Sequence, residues 1–218
     1  MSGPPRLVLA SRSPARLATL RSAGVEPEVR VSEVDEDAVV ARYGVSDPAE
    51  VALLLARAKA EDVATALGAE GVEDALVVGC DSVLDLAGVA YGKPGTADVA
   101  RERWRAMRGR AGVLRTGHWL VDLRPVGDGG SGASVGDLAS TTVRFGDLSD
   151  DEVDAYVATG EPLQVAGAFT VDGLGGAFVD GVDGDPHAVV GIGLPTLRAL
   201  TAQVGVPWHT LWAPRPAP

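Results

Sequence analysis

A continuous apolar strand followed by a carboxylate constrains this chain more than any other feature. The segment Ala75–Pro94 reads ALVVGCDSVLDLAGVAYGKP, and positions 76–78 form the unbroken apolar run of a strand that is covered on both faces. This pattern predicts a central strand of an α/β sheet that ends at Gly79 and Cys80, with Asp81 where the strand leaves the sheet. Ligands of open α/β folds bind at that end of the sheet.

A lysine follows the same strand in the motif Gly92–Pro94. A predicted hairpin turn at Ala87 and Gly88 precedes it, and the proline biases Lys93 towards an extended backbone. We therefore expect the carboxylate of Asp81 and the ammonium of Lys93 to flank one cleft. An ordinary alternative is open for each residue, because an aspartate after a strand can cap a turn and a lysine before proline can be solvated.

Composition and charge exclude several classes of protein. The chain has 218 residues, enough to bury one α/β core. Its formal net charge of -11 argues against a protein that coats nucleic acid, because such a protein needs a basic surface. The single cysteine, Cys80, excludes an intrachain disulfide framework and lies in an apolar run, which favours a buried structural thiol. No stretch resembles a signal peptide or a membrane span, so the sequence predicts a cytoplasmic protein that binds neither nucleic acid nor membrane.

The segment after the first predicted strand has the features of a phosphate-binding turn. Leu7–Ala10 is a short apolar run, and residues 11–16, SRSPAR, follow it with Ser13 as a helix N-cap and Pro14 as the first helical residue. The free backbone N–H groups of this helix start, together with the hydroxyls and guanidiniums of the segment, could bind phosphate. A simple cap with solvated arginines explains the same residues.

The second predicted strand contains Val29 and Val31, and an acidic run follows it. Four acidic residues occupy the five positions 33–37. The repulsion between their carboxylates is unfavourable unless a cation relieves it. Mg²⁺ prefers one or two carboxylates together with substrate phosphates. A solvated acidic turn is the alternative.

Further elements are predicted along the chain. Helices begin at Asp47, Thr96, Ser149 and Pro195, and Lys59 lies at the border of the apolar stripe of the first of these, where it either snorkels or reaches a buried anion. Further strands are predicted at 113–123, 141–145, 177–182 and 188–190. His118 is expected to be a partly buried strand residue rather than a ligand.

Three segments lack a clear secondary-structure pattern. Residues 124–138 are predicted to be a flexible surface loop between two strands, and residues 207–218 a loosely ordered tail. The glycine-dense segment 161–176 suggests backbone that approaches a ligand, although tight turns alone could explain it. The elements together predict one α/β domain over residues 1–218, with its core at about 7–204.

In their order along the chain, these motifs resemble the Maf family of nucleoside triphosphate pyrophosphatases. The resemblance covers about residues 7–204 and rests on LVLASRSPAR, VSEVDE, ARAKA, VVGCDSV, YGKP, LSDDEVDAYVATGEP, AGAFTVDGLGGAFV and HAVVG. It implies an elongated mixed β-sheet flanked by helices, with two lobes around a central cleft, as in Maf/ITPase-like folds, and often a homodimer. It also implies hydrolysis of nucleoside triphosphates between the α- and β-phosphates, as house-cleaning of non-canonical or surplus nucleotides.

The resemblance implies roles for individual residues. Asp81 matches the catalytic base, and Glu36 with Asp35 matches an acidic pair that helps to position water. These three carboxylates form the implied site for a divalent cation, Mg²⁺ or Mn²⁺. The residues implied to bind the triphosphate are Ser11, Arg16, Lys59 and Lys93.

Three positions depart from the family's pattern where the base is thought to be chosen. Ala15 stands where the branch that cleaves dTTP and UTP has arginine and the 7-methyl-GTP branch has tryptophan. Ser82 replaces a threonine or glutamine, and Asp172 a glutamine or glutamate. The small Ala15 should widen the pocket, and Asp172 can accept hydrogen bonds from a ring N–H or an amine, so we predict relaxed or purine-tolerant selectivity.

Two alternative functions are open at this point. A nucleotide-sensing regulatory protein of cell division would use the same pocket without cleaving its ligand. A phosphatase would remove the terminal phosphate and release orthophosphate. The acids and bases that the motifs retain favour the pyrophosphatase.

Overall fold

A mixed β-sheet flanked by helices forms the centre of residues 5–213, the part of the chain that the computed structural model describes. Its seven strands are β1 (Arg6–Leu9), β2 (Glu28–Val29), β3 (Ala75–Leu86), β4 (Val89–Tyr91), β5 (Ala111–Asp122), β6 (Ser134–Phe145) and β7 (Val179–Asp183). Their order in the sheet is β2-β1-β3-β5-β6-β7, and β4 pairs with β3 outside this path. The first three strands in this order are parallel, and the remaining pairs are antiparallel.

Six of the seven α-helices of the described residues begin at a capping side chain, and the last helix follows Gly193 without one. The helices are α1 (Pro14–Ser22), α2 (Glu36–Tyr43), α3 (Pro48–Ala69), α4 (Ala97–Met107), α5 (Asp150–Ala158), α6 (Pro186–Val190) and α7 (Leu194–Gln203). Ser13, Asp47 and Thr96 each accept a hydrogen bond from a backbone N–H group of the first turn. Ser149 and Glu152 form the capping box that the sequence predicts. No helix within residues 5–213 combines the length and the apolar character needed to cross a membrane.

The central strand is longer than the sequence predicts. β3 does not end at Cys80 but continues to Leu86, because β5 pairs with it along residues 76–85 after β1 has stopped. β1 pairs only as far as Leu9 with Val78. Asp81 therefore lies inside a strand, yet just beyond the carboxyl end of its parallel neighbour, where a cleft can open.

Of the four apolar clusters among the described residues, two lie at opposite ends of β3. One cluster surrounds Trp104 and includes Leu84 at the end of the strand, and a second includes Leu76 near its start together with Leu197 of α7. Asp81 lies between these two clusters along the strand. The predicted mixed sheet with a lobe on each side of a cleft is confirmed.

Two glycines allow α3 to lie directly against the sheet. A Cβ atom built at Gly79 or at Gly117 would lie 2.3 Å from a backbone carbonyl oxygen of α3. Gly117 is the residue of β5 that pairs with Asp81. The close contact therefore sets the height of α3 above β3, and with it the position from which Lys59 reaches the strand.

Cys80 is buried, as predicted from the apolar run around it. Burial raises the pKa of its thiol to about 11, although the charges of Arg16 and Lys59 act in the opposite direction. A thiol held in its neutral form is unreactive, which agrees with a structural role.

Two predicted segments differ from the structure. Residues 188–190 are not a strand: Asp185 caps a short helix and Pro186 supplies its first turn, so the apolar triplet is helical. The tail is ordered as far as it is described, since residues 208–211 form a 3₁₀ turn with a buried Leu211 and Trp212 bridges to Val25. Residues 214–218 lie outside the described residues.

The glycine-rich loop is shorter and more firmly anchored than predicted. β6 begins at Ser134, so the connection ends at residue 133 rather than 138. The carboxylate of Asp122, which is inaccessible to solvent, accepts hydrogen bonds from Arg124 Nε at 2.8 Å and from Ser131 N and Oγ at 2.7 Å each. One buried acid thus holds both ends of the loop, which composition alone could not reveal.

Replacing Asp122 by Asn is expected to destabilise the protein at neutral pH and to make its free energy of unfolding depend less on pH in the acid range. Burial alone would raise the pKa of Asp122, but the hydrogen bonds from Arg124 and Ser131 outweigh it and hold the pKa at about 2. Because this value is below the unfolded one of about 3.9, the stabilisation is present above roughly pH 4 and is lost as the pH falls towards 2. Urea denaturation at several pH values from 2 to 7 measures the free energy of unfolding of each variant. The control is Asp128→Asn, a substitution at an exposed residue. Equal pH dependence in both variants would contradict the prediction.

Candidate active site

A cleft with a volume of about 420 Å³, lined by both polar and apolar side chains, opens at the carboxyl end of β1. Its walls come from the loop before α1, from β3, from the segment around residue 93, and from residues 164–172 and 189–191. Eight of the residues singled out in the sequence line it: Ser11, Ala15, Arg16, Lys59, Asp81, Ser82, Lys93 and Asp172. The fold thus brings together residues from five separate motifs.

A buried lysine joins two carboxylates at this cleft. Lys59 Nζ lies 2.5 Å from Asp81 Oδ1 and 2.7 Å from Glu36 Oε1. The side chains of Lys59 and Asp81 are only 10% and 11% exposed, whereas that of Glu36 is 41% exposed. The sequence left open whether Lys59 snorkels or reaches a buried anion. In the structure its ammonium contacts two carboxylates.

The two carboxylates have opposite pKa shifts. Burial raises the pKa of Asp81, although Lys59 and Arg16 act against it. Partial burial acts in the same direction on Glu36, but the hydrogen bond from Lys59 and the charges of Lys59, Lys93 and Arg16 together lower its pKa. Two acids whose pKa values are moved apart are typical of acid–base sites, in which the group with the raised pKa is the better proton acceptor.

Arg16 is fixed at the start of α1. Its Nε donates to the carbonyl oxygen of Gly191 at 2.7 Å, and its Nη1 donates to Ser11 Oγ at 3.2 Å. Ser11 Oγ also accepts from the backbone N–H of Ser13 at 3.1 Å. A guanidinium, a hydroxyl and a helix N-terminus therefore meet at one wall, as the predicted phosphate-binding turn requires.

Lys93 lies on a segment that is tied to the glycine-dense region. The carbonyl of Gly92 accepts from the backbone N–H of Gly167 at 3.1 Å, and the N–H of Gly95 donates to the carbonyl of Leu163 at 3.0 Å. As the sequence predicts, Lys93 and Asp81 line the same cleft.

Asp35, the third acid of the implied metal site, caps a helix, whereas the other two acids contact Lys59. Asp35 Oδ1 accepts from the backbone N–H of Ala38 at 3.0 Å, so this carboxylate is the N-cap of α2. Within residues 5–213 no three His, Cys, Asp or Glu side chains are grouped as a metal site. Glu36 and Asp81, which contact one ammonium, still supply the two carboxylates that Mg²⁺ prefers when phosphates complete its coordination.

The three positions expected to select the base all line the cleft. Leu114, Phe169 and Val189 give it an apolar wall. The hydroxyl of Thr170 is hydrogen-bonded to the carboxylate of Asp172, which is exposed. An apolar wall with a polar acceptor near it is suited to a planar heterocycle.

Sequence reasoning missed two residues of this site, Thr116 and Gly191. Thr116 is completely buried and hydrogen-bonds Ser82, whereas Gly191 supplies the carbonyl that holds Arg16. Gly191 has a φ of +120°, and a Cβ there would lie 3.0 Å from Arg16 Nε, so glycine is required. His118 is fully buried rather than partly buried, and its Nε2 accepts from the N–H of Gly193 at 2.7 Å.

Comparisons with known proteins show which family this chain belongs to. The family model described as Maf-like protein matches residues 6–204. The chain is 56% identical over 210 residues to the nucleoside triphosphate pyrophosphatase of Rhodococcus opacus, covering 94% of this chain and 95% of the relative. It is 57% identical over 209 residues to the protein of that name from Streptomyces coelicolor, covering 96% and 95%. A crystal structure of a nucleoside-triphosphatase / dITP/XTP pyrophosphatase from Mycobacterium abscessus aligns with 92% of this chain and 94% of its own at 16% identity and a TM-score of 0.37, too low to support an argument.

Proposed function

This chain belongs to the Maf-like protein family, and on that basis we propose that it hydrolyses nucleoside triphosphates between the α- and β-phosphates. The products are a nucleoside monophosphate and pyrophosphate. One observation carries the proposal: the buried Lys59 that joins Asp81 and Glu36 lies in the same cleft as Arg16 and Lys93. Phosphoryl transfer needs positioned charge and an oriented water, and this cleft supplies groups for both.

Asp81 is the general base in this proposal. Its Oδ1 accepts the hydrogen bond from Lys59, which leaves Oδ2 to take a proton from the attacking water. The raised pKa of Asp81 makes it a stronger proton acceptor than an exposed aspartate. The water then attacks the α-phosphorus, and the bond to the bridging oxygen of the pyrophosphate breaks.

The basic residues bind the triphosphate and neutralise the charge that develops on the leaving pyrophosphate. Arg16 and Ser11 present a guanidinium and a hydroxyl at the start of α1, and Lys93 also lines the cleft. This concentration of positive charge explains how a chain with a net charge of -11 can bind a polyanion. Among these residues, Arg16 is held at its Nε by the carbonyl of Gly191.

We also propose a divalent cation, Mg²⁺ or Mn²⁺, as the cofactor. Glu36 and Asp81 are the residues that would hold it, with phosphate oxygens of the substrate. When bound, such an ion supplies charge neutralisation and orients the phosphates. The exposure of Glu36 keeps one of these carboxylates accessible from solvent.

The base pocket supports broad rather than narrow selectivity. Ala15 leaves room where a larger side chain would close the pocket, and Asp172 can accept hydrogen bonds from a purine N–H or amino group. We propose a purine-tolerant cytoplasmic enzyme that removes non-canonical or surplus nucleotides. Its homodimeric state is proposed from the family resemblance alone.

A product-resolved nucleotide panel tests the proposed function. With Mg²⁺ or Mn²⁺, the protein should release pyrophosphate and nucleoside monophosphate in equal amounts from several purine nucleotides, and chelation should stop the release. Orthophosphate as the product would instead indicate a phosphatase. Tight binding without cleavage would favour the nucleotide-sensing alternative, and strict preference for dTTP and UTP would contradict the proposed selectivity.

A further inference from the structure

A chain of hydrogen bonds connects Arg16 to α6 through Ser82 and Thr116, and each side chain in it donates to the next group. Thr116 Oγ1 donates to the carbonyl oxygen of Ala188 at 2.8 Å and lies 3.0 Å from Ser82 Oγ. A hydroxyl has one proton, so Thr116 accepts its second bond from Ser82. Ser82 has then used its own proton and presents only lone pairs to Arg16 Nη2, 3.5 Å away. Every bond of the chain is satisfied in this direction.

The same threonine controls the other anchor of Arg16. Arg16 Nε donates to the carbonyl of Gly191, the residue that directly follows α6. Thr116 ties α6 to β5 through the carbonyl of Ala188 and so helps to position the carbonyl of Gly191, together with the hydrogen bonds of His118 with Gly193 and of Thr141 with Asp185. Two of the groups that orient the guanidinium are therefore connected to one buried hydroxyl.

We propose that Thr116 is a positioning residue for Arg16, and this inference rests on the proposed function. Thr116 is completely buried and is not part of the cleft lining, so it does not touch a bound nucleotide. It acts by holding the guanidinium in the orientation that binds the triphosphate before the substrate arrives. A guanidinium ordered in advance loses less conformational freedom on binding, so affinity increases.

The test compares Thr116→Val with a matched buried threonine, Thr201→Val. Valine keeps the shape of threonine but removes the hydroxyl. Among the described residues, the hydroxyl of Thr201 bonds within α7, to the carbonyl of Arg198. We expect T116V to raise the KM for the nucleotide about tenfold while kcat changes less than about twofold. T201V should lower stability without changing KM, and T116S, which restores the hydroxyl, should restore KM. An unchanged KM in T116V, or equal changes in T116V and T201V, would overturn the proposal.

Binding of inorganic tripolyphosphate separates this inference from the proposed function. If the wild-type protein releases no pyrophosphate, the proposed function fails, but calorimetry still shows whether T116V binds tripolyphosphate more weakly than T201V does. Equal affinity of these two variants would overturn the role of Thr116. If T116V does not fold, Ser82→Ala breaks the same chain and is expected to weaken tripolyphosphate binding; wild-type affinity in it would count against the proposal. A wild type that neither cleaves nucleotides nor binds tripolyphosphate overturns both.

Discussion

Replacing Asp81 by Asn is expected to reduce pyrophosphate release by about a thousandfold, the middle to upper range for loss of a general base. The amide keeps the size of the side chain and an oxygen for Lys59 Nζ, 2.5 Å away in the wild type, but it cannot take a proton. The measurement is kcat from pyrophosphate release at saturating nucleotide and Mg²⁺. The matched control is Asp85→Asn on the same strand, where the wild-type carboxylate pairs with Arg115 outside the cleft.

The pH profile tests the same role from a second direction. Because Asp81 must be ionised to accept a proton, the wild-type kcat should fall as the pH decreases through the pKa of Asp81, which burial raises and a bound cation lowers. This acid limb should be absent from the residual activity of D81N and present in D85N. Retention of more than about a tenth of the wild-type kcat by D81N would exclude Asp81 as the base.

Replacing Gly117 by Ala is expected to lower the free energy of unfolding by about 3 kcal/mol or more, at the upper end of overpacking costs. The new Cβ would lie 2.3 Å from the carbonyl oxygen of Ala52, so α3 must move away from the sheet. Lys59 moves with α3 and loses its contact with Asp81, so kcat should fall as well. Urea denaturation and pyrophosphate release measure the two effects.

The control for this prediction is Gly127→Ala. A Cβ at Gly127 meets nothing within 4 Å, and its backbone conformation is open to other residues. This variant should change stability by less than about 0.5 kcal/mol. If G117A were as stable as G127A, the contact between α3 and β5 would not determine the height of Lys59.

Local signals in the sequence were sufficient for most element starts. The caps at Ser13, Asp47, Thr96 and Ser149 each act on the next few residues, so their consequences are visible in a short window. The end of β3 was not predictable in this way. Whether a strand continues past Asp81 depends on β5, which begins 25 residues after β3 ends and leaves no mark in the pattern of β3.

The supporting contacts of the site were also beyond sequence reasoning. Arg16 and Gly191 are 175 positions apart, and Thr116 and Ala188 are 72 apart, so no spacing rule connects them. The family resemblance implied Arg16 through its motif, but a buried threonine in a strand has the same pattern as any core position. Asp35 and Glu36 are neighbours in the sequence, yet Asp35 caps the helix that begins there whereas Glu36 contacts Lys59, a difference that their spacing does not reveal.

The position of Cys80 gives this protein an intrinsic reporter. It is the single cysteine of the chain, it is buried at the middle of β3 beside Asp81, and alkylating reagents react with thiolates rather than thiols. Iodoacetamide should therefore modify it only during excursions that separate the central strands. The rate of labelling, followed by mass spectrometry, reports how often the strands separate. Comparing the rates with and without nucleotide shows how strongly a bound nucleotide suppresses this opening.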